Sequence, residues 1–266
     1  MTSWLKVENK VVIVTGGSSG IGRSIARKLL ENSCIVINFD LSDDNSIASK
    51  KYSFYKTDVS NKKQVDRSVQ QVWEEYGKID ALVNNAGIAL PGMLVNPDGS
   101  GKYELTEEMF DRITAVNQKS VFLMSQAVAR IMITQKYGVI VNMSTESARE
   151  GSVGQGFYVG TKGAINSMTC TWAKELGKYN IRVLGVAPGI MEQTKLRSLQ
   201  YEEALAFTRG ITVESLREGY KKSSSIPLGR SGKLTEVADL VCFYISGRAS
   251  YMSGIITNIA GGKSRG

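Results

Sequence analysis

Tyr158 and Lys162 stand four residues apart in the run Tyr158-Val-Gly-Thr-Lys162, a spacing that puts both side chains on one face of a helix. A phenol with a free pKa of about 10 is a poor base at neutral pH. A neighbouring ammonium stabilises the phenolate and brings it toward the working range, so the pair can take a proton from an alcohol. The same spacing also describes a packed ring beside a solvated charge, and the pair therefore needs corroboration from the rest of the chain. The first support is an absence. The sequence contains 0 histidines, which removes the usual zinc ligands and rules out a Ser-His-Asp hydrolase. A phenolate base fits that composition.

The second support lies near the N-terminus. Lys10-Val-Val-Ile-Val-Thr15 reads as a buried strand, Gly16-Gly-Ser-Ser-Gly20-Ile-Gly22 as a turn, and Arg23-Ser-Ile-Ala-Arg-Lys-Leu-Leu30 as an amphipathic helix. Strand, glycine turn and helix in that order satisfy the context of a dinucleotide site. Gly16 permits the tight turn, Gly20 lets the backbone approach a pyrophosphate, and Gly22 lets helix and strand pack closely while the helix N-terminus receives the negative charge. The spacing is T-G-x-x-x-G-x-G. A second strand, Cys34–Phe39, ends at Asp40, eighteen positions after Gly22, where a carboxylate would accept from ribose hydroxyls and repel a 2′-phosphate. NAD is expected over NADP.

Together these residues resemble the classical short-chain dehydrogenase/reductase family, over essentially the whole chain. Asn84-Asn-Ala-Gly87 after a strand is similar to the family's N-N-A-G turn, Asp58-Val59 to its adenine-contacting pair, Asn117 to the helix asparagine that holds a catalytic water, and Pro188-Gly189 to its turn beside the nicotinamide. The cofactor set this resemblance implies is Gly16, Ser18, Ser19, Gly20, Ile21 and Gly22 in the first turn, then Asp40, Asp58 and Val59, then Asn85, Ala86 and Gly87, and finally Pro188, Gly189 and Ile190, with Tyr158 and Lys162 closing on the ribose and the reacting end. The catalytic set is Asn117, Thr145, Tyr158 and Lys162. The family's serine lies thirteen residues before its tyrosine, and that position here is Thr145. Threonine keeps a hydroxyl able to donate to the substrate oxygen, although its methyl restricts χ1. Thr145 is favoured because Val139-Ile-Val-Asn-Met-Ser-Thr145 needs no gap; Ser144 and Ser147 are the alternatives.

The elements that must position these groups follow from the alternation of apolar strand runs with longer helical patterns. It calls for an α/β fold, a single-domain doubly wound Rossmann architecture with a parallel sheet. Strands are expected near Val11–Thr15, Cys34–Phe39, Tyr52–Lys56, Ala81–Val83, Gly138–Met143, Arg182–Ala187 and Ile255–Ile259, and the resemblance implies seven strands in the order 3-2-1-4-5-6-7. With 266 residues, 42% of them hydrophobic, one domain spanning 1–266 suffices. Two segments exceed what the scaffold needs. One is the turn-rich connection Pro91–Tyr103; the other, residues 191–227, falls where the family carries a substrate lid and contains helical stretches at Tyr201–Arg209 and Val213–Lys222.

The 3 cysteines, Cys34, Cys170 and Cys242, form no metal-ligand or redox pair, so buried free thiols in a reducing compartment are expected and no metal is. Met1–Lys6 lacks the apolar core of a signal peptide, and no run of about 18 apolar residues exists for a membrane span. Those readings give a cytoplasmic protein with no membrane partner. The net charge of +8 comes from 33 basic and 25 acidic residues that are interspersed, without the basic tract of a nucleic-acid binder. An anionic small substrate accounts for the excess.

Lys195, Arg197 and Arg209 are the first candidates to meet that anion, with Arg217, Lys221 and Lys222 behind them; Arg149 and Glu150, between Thr145 and Tyr158, are candidates at the pocket wall. The lid and the ending Thr257–Gly266 resemble a narrower group within the family that acts on phosphorylated sugar alcohols. This implies a sugar phosphate substrate, D-sorbitol 6-phosphate (D-glucitol 6-phosphate), oxidised at C2 to D-fructose 6-phosphate with NAD reduced. The competing readings are a dehydrogenase of another polyol or ketose phosphate, a 3-oxoacyl thioester reductase, and an idle NAD-binding regulator on the same scaffold. Acidic Asp40 and uncharged Ser19 count against the reductase, and the intact Tyr158 and Lys162 against the regulator. The resemblance also implies a homotetramer, with dimers pairing the helices Glu107–Gln135 and Gln155–Lys178.

Overall fold

The computed structural model of the chain describes residues 4–43 and 45–264. Met1–Ser3, Asp44 of the loop after the second strand, and Arg265–Gly266 at the end of the C-terminal resemblance lie outside the described residues. Seven parallel strands make one sheet: β1 Val11–Thr15, β2 Ile35–Asp40, β3 Tyr52–Lys56, β4 Ala81–Asn84, β5 Gly138–Met143, β6 Ile181–Pro188 and β7 Ile256–Ile259. Their order is β3-β2-β1-β4-β5-β6-β7, and each paired register is parallel. The expected strands and order agree with this sheet to within a residue or so at each end.

Parallel strands need crossovers, and helices on both faces supply all but the one from β2 to β3, which carries no helix among the described residues. They are α1 Gly20–Glu31, α2 Lys62–Tyr76, α3 Glu107–Thr114, α4 Ser120–Gln135, the single turn α5 Ser147–Glu150, α6 Gly156–Leu176, α7 Leu199–Thr208, α8 Val213–Lys222 and α9 Leu234–Ile245. Strand residues of opposite parity face opposite layers. Val12, Val14, Val36, Ala81 and Val83 pack with Ile25 and Leu29 of α1 and Val241 and Ile245 of α9. Val11, Ile13, Ile37, Phe39, Leu82 and Ile140 pack with Val69 of α2 and Met124 and Val128 of α4. Burial on both faces explains why the central strands read as continuous apolar runs rather than alternating ones.

Two local features matter for the site. α3 and α4 are continuous through a π-helical turn, Ala115–Lys119, whose one surplus residue per turn swings Asn117 inward, where it is fully buried. The segment between β6 and α9 carries α7 and α8, which bury Leu205, Ala206 and Leu216 in a small core of their own. That core is separate from the two sheet layers.

Candidate active site

The carboxyl ends of β1, β2, β4, β5 and β6 open on one cleft of about 630 Å³. Its floor is built by the turn after β1. Gly16 sits at φ +67, where a side chain is strained, and a Cβ at Gly22 would fall 2.1 Å from the Gly16 carbonyl oxygen; only glycine fits. The floor is stapled to the turn after β4. Thr15 Oγ1 accepts from the Asn85 and Ala86 amides at 2.9 and 3.0 Å, and Asn85 Nδ2 donates to the Thr15 carbonyl at 3.0 Å.

Beside the floor, Asn38 Oδ1 accepts from the Gly17 amide at 2.8 Å. Asp40 Oδ2 accepts from the Ser18 amide at 3.1 Å and Oδ1 from the Leu41 amide at 2.7 Å. The α1 N-terminus carries no side-chain cap and no acidic residue in its first turn, so its amide donors and positive dipole end remain for an anion. A glycine cradle that a Cβ would fill, an uncapped helix end and a carboxylate at the end of β2 fit a dinucleotide.

Asp58 and Val59 line the cleft, as do Gly16, Ser19, Gly20 and Ile21, the Asn85–Gly87 turn, and Pro188, Gly189 and Ile190. Two of the expected cofactor residues are placed behind it. Ser18 is buried and its hydroxyl accepts from Asn38 Nδ2 at 2.8 Å, while Gly22 serves the packing of α1 on the turn.

The chemical groups converge where β5 and α6 face β4. Tyr158 and Lys162 project from α6 on one face. Of the three hydroxyls considered for the substrate oxygen, Thr145 is the one that acts on the Tyr158 phenol, while its Oγ1 also reaches the Pro188 carbonyl at 3.5 Å. Ser144 Oγ turns away toward the Lys162 carbonyl at 3.5 Å. Burial pushes the Tyr158 phenol up, and the Thr145 hydrogen bond acts against that rise.

The expectation that Lys162 lowers this pKa meets a different arrangement. The Lys162 ammonium is itself buried, burial pulls it down to about 8, and it donates to the Met143 carbonyl at 2.7 Å while lying 5.9 Å from the Tyr158 ring centroid. In this arrangement Thr145, not Lys162, is the group that lowers the phenol.

Asn117 is tied to the turn after β4 by its side chain. Its Oδ1 accepts from the Ile88 amide at 2.8 Å, and its Nδ2 donates to the Ile88 carbonyl at 2.9 Å and reaches Thr161 Oγ1 at 3.3 Å. Both Nδ2 hydrogens and one Oδ1 lone pair thus lock the turn after β4 against the π-helical turn, next to Gly87 and Lys162, and the second Oδ1 lone pair remains as an acceptor.

The opposite wall comes from residues 191–227. Lys195, Arg197 and Arg209 all line the cleft, but with unequal freedom. Arg197 donates to buried Glu202 at 2.9 Å and stacks on Tyr220 at 3.9 Å, and Arg217 meets the same carboxylate at 2.8 Å. Burial pushes the Glu202 carboxyl up, and the two arginines outweigh it and hold it below the usual carboxylate range. Arg197 thus joins α7 to α8, while its buried Nε–H has no partner among the described residues. Arg209, exposed at the end of α7, reaches Ser152 Oγ at 3.4 Å. Arg149 and Glu150 lie on α5 with exposed side chains and are not among the cleft residues; the turn at Gly151 carries them past the wall.

Sequence reasoning missed Gln155, which donates to the Tyr201 hydroxyl at 2.7 Å, and it missed Glu146 and Lys263, which line the cleft together. Adjacency to Thr145 and Tyr158 pointed to Glu146 and Gln155, and Lys263 lay within the ending Thr257–Gly266 that carries the narrower resemblance, without being singled out. Among the described residues no cluster of three or more metal-ligating side chains occurs, and no helix is long and apolar enough to cross a membrane. Cys34, Cys170 and Cys242 are free thiols; burial pushes Cys34 and Cys242 up to about 12.

Residues 10–204 match the short chain dehydrogenase family. The whole chain is 53% identical over 268 residues to the sorbitol-6-phosphate 2-dehydrogenase of Klebsiella pneumoniae, covering all of both chains. Among solved structures, the ligand-free aldohexose dehydrogenase of Thermoplasma acidophilum is similar with a TM-score of 0.83 and 29% identity, over 98% of this chain and 96% of that one. The 3-ketoacyl-(acyl-carrier-protein) reductase of Brucella melitensis, complexed with NADH, is similar with a TM-score of 0.80 and 28% identity, over 97% of this chain and 100% of that one.

Proposed function

This chain belongs to the short-chain dehydrogenase family, and from that premise we propose that it oxidises D-sorbitol 6-phosphate at C2 to D-fructose 6-phosphate with NAD. The full-length identity to a sorbitol-6-phosphate 2-dehydrogenase carries the substrate. The cleft supplies a consistent chemistry. The chain is an oxidoreductase that uses a nicotinamide cofactor, and that cofactor, when bound, supplies the hydride acceptor.

Thr145 and Tyr158 hold the C2 oxygen between their hydroxyls, and Tyr158 removes its proton as C2 gives up hydrogen with its electron pair. Lys162, buried, depressed to about 8 and anchored on the Met143 carbonyl, holds the ribose side of the cofactor. Asn117 keeps the turn after β4 in register with Lys162. Asp40, fixed by two main-chain amides, selects NAD over NADP. Lys195 and Arg209, on the wall opposite the floor, receive the phosphate, whose binding energy is then available to the distant reacting carbon.

We assign residues 191–227 as the substrate lid of a domain spanning 1–266, with assembly as a cytoplasmic homotetramer. Light scattering on the purified chain should return about four chain masses; a monomeric mass would end the tetramer assignment. The reductase alternative is weaker. Its solved example here is 28% identical, against 53% for the sorbitol-6-phosphate 2-dehydrogenase.

Following NADH absorbance with D-sorbitol 6-phosphate, D-sorbitol and D-mannitol 6-phosphate tests the reading. The first should be used with by far the highest kcat/KM. Equal kcat/KM for sorbitol and its phosphate would sink the phosphate assignment.

A further inference from the structure

Glu146 follows Thr145 directly, and its carboxylate is almost fully buried, 4% exposed. Its amide donates to the Pro188 carbonyl at 3.1 Å. Oε1 accepts from Lys263 Nζ at 2.6 Å, while Oε2, also buried, has no hydrogen-bond donor among the described residues. Oε2 lies against Gly189, where a Cβ would come within 2.8 Å of it. A carboxylate so placed costs stability unless something uses it, since buried polar atoms ordinarily have partners.

Lys263 arrives from the far end of the chain on a built turn. Gly261 and Gly262 adopt φ +60 and +85, and a Cβ at Gly261 would stand 2.7 Å from Ile226 Cγ2. The Leu228 amide donates to the Gly261 carbonyl at 3.1 Å, and the Lys263 amide to the Ala260 carbonyl at 3.0 Å. The turn after β7 is thereby clamped to the exit of segment 191–227, and it aims Lys263 at the cleft, where the side chain keeps 26% exposure.

We infer that Lys263 and Glu146 form a hydroxyl-reading pair, in which Lys263 donates to a substrate hydroxyl on a carbon flanking the one oxidised and Glu146 is the positioning residue that holds Lys263 there. The inference rests on the sugar-alcohol reading above and adds the residues that recognise the polyol itself. Placement next to Thr145 and Gly189 locates the pair at the reacting end of the cleft, away from the cations of the lid.

Charge separates its role from theirs. The Lys263 ammonium is already neutralised by a carboxylate at hydrogen-bond distance, so it offers a phosphate dianion little net attraction, but it still has N–H donors to give a neutral hydroxyl. An apolar acyl chain would leave those donors unpaired, which makes the pair a filter for polyhydroxylated substrates.

The test uses the full-length protein with Lys263→Met, Glu146→Gln and Lys263→Arg. Each is assayed with D-sorbitol 6-phosphate and D-sorbitol, and NADH affinity is measured by fluorescence titration. Lys263→Met should raise KM and lower kcat/KM for both alcohols by about 10- to 100-fold, the loss of one charge-assisted hydrogen bond, with NADH affinity and the ratio between the two alcohols unchanged. Glu146→Gln should act in the same direction, and Lys263→Arg should recover part of the loss.

An unchanged kcat/KM in Lys263→Met overturns the pair, and so does a collapse of the ratio between the two alcohols, which would make Lys263 a phosphate anchor. A parallel fall in NADH affinity overturns it as well, because it marks a purely structural contact. Wild-type inactivity toward both alcohols would instead fail the substrate reading, and the pair with it.

Discussion

The floor of the cleft and its lid wall solve the same problem, holding groups at a ligand, by different means. The floor is made of main chain. Gly16 and Gly22 bring main chain against main chain with no room for a Cβ at Gly22, and Thr15 and Asn85 staple two turns by short bonds between side chain and backbone. The lid is made of side chains. Glu202 gathers Arg197 and Arg217, and Arg197 lies on Tyr220, with a small private core beneath. A backbone cradle suits a ligand part that never changes, whereas a wall of ion pairs can be re-specified one residue at a time. The catalytic groups stand at the junction of the two.

The largest effect is expected at that junction. Tyr158→Phe keeps the ring and the floor and removes only the proton acceptor, so NADH affinity should hold while turnover falls by roughly 10²–10⁴-fold. Wild-type turnover in this variant would remove Tyr158 from the mechanism.

Lys162 gives a second large effect, visible without substrate. Its folded pKa of about 8 lies below the ordinary 10.5, so between those values the unfolded chain binds a proton that the folded chain does not. Stability from this group therefore rises as pH increases from about 8 toward 10.5, by up to about 3 kcal/mol. The Tyr158 phenol, raised by burial, and the thiols of Cys34 and Cys242 at about 12 act oppositely above their unfolded values. They persist in Lys162→Met. Denaturant unfolding of both proteins between pH 7 and 10, the range in which the comparison is made, should show a wild-type gain that the variant lacks; parallel curves would mean that burial does not depress Lys162.

Glycine substitutions probe the two regions directly. Gly22→Ala puts a methyl group 2.1 Å from a carbonyl oxygen and should cost about 3 kcal/mol and most of the cofactor affinity, at the upper end of overpacking effects. Gly210→Ala, in the lid, meets nothing within 4 Å and carries only the strain of φ +62; about 1 kcal/mol is expected, with NADH binding untouched. Equal losses in thermal midpoint would erase the distinction. In the lid the vulnerable group is Glu202. Glu202→Gln leaves two arginines facing a neutral amide and should loosen α7 against α8. A several-fold rise in KM for the phosphorylated substrate is expected, worth about 1 kcal/mol because Arg217 is half-exposed and screened.

The same division explains what could be read from the sequence. Strand ends and the glycine turn follow from local sterics and burial on both sheet faces, so the strands were legible, as was the string Val139–Thr145 that leads to the hydroxyl; the order of the strands came from the family resemblance. The lid helices were legible too, since Ser198 and Thr212 cap them through the Tyr201 and Ser215 amides. What escaped depends on pairs far apart in the chain. Lys263 is 117 residues from Glu146, and no periodicity connects them. The ion pair that Arg197 makes with Glu202, a helix residue of ordinary type, shows only once Glu202 proves to be buried. Asn117 carries no sign in sequence that a π-helical turn will spend its amide on Ile88.

Asp40 tests whether the floor selects by backbone alone. Its two carboxylate oxygens accept from the Ser18 and Leu41 amides, so the side chain both holds the turn and presents charge to the ribose. Asp40→Ala removes both roles and should weaken NAD binding while narrowing the preference over NADP. Asp40→Asn keeps an acceptor for one amide and nearly the same shape but cancels the charge. If selection is electrostatic, this variant should lose about tenfold of the NAD preference, near 1.4 kcal/mol, with NAD affinity little changed. The residual gap would then shrink at higher ionic strength less than the wild-type gap does, because the screened repulsion has gone. A wild-type enzyme that used NADP as readily as NAD would place the selectivity outside Asp40 and leave its carboxylate as a brace for the glycine turn.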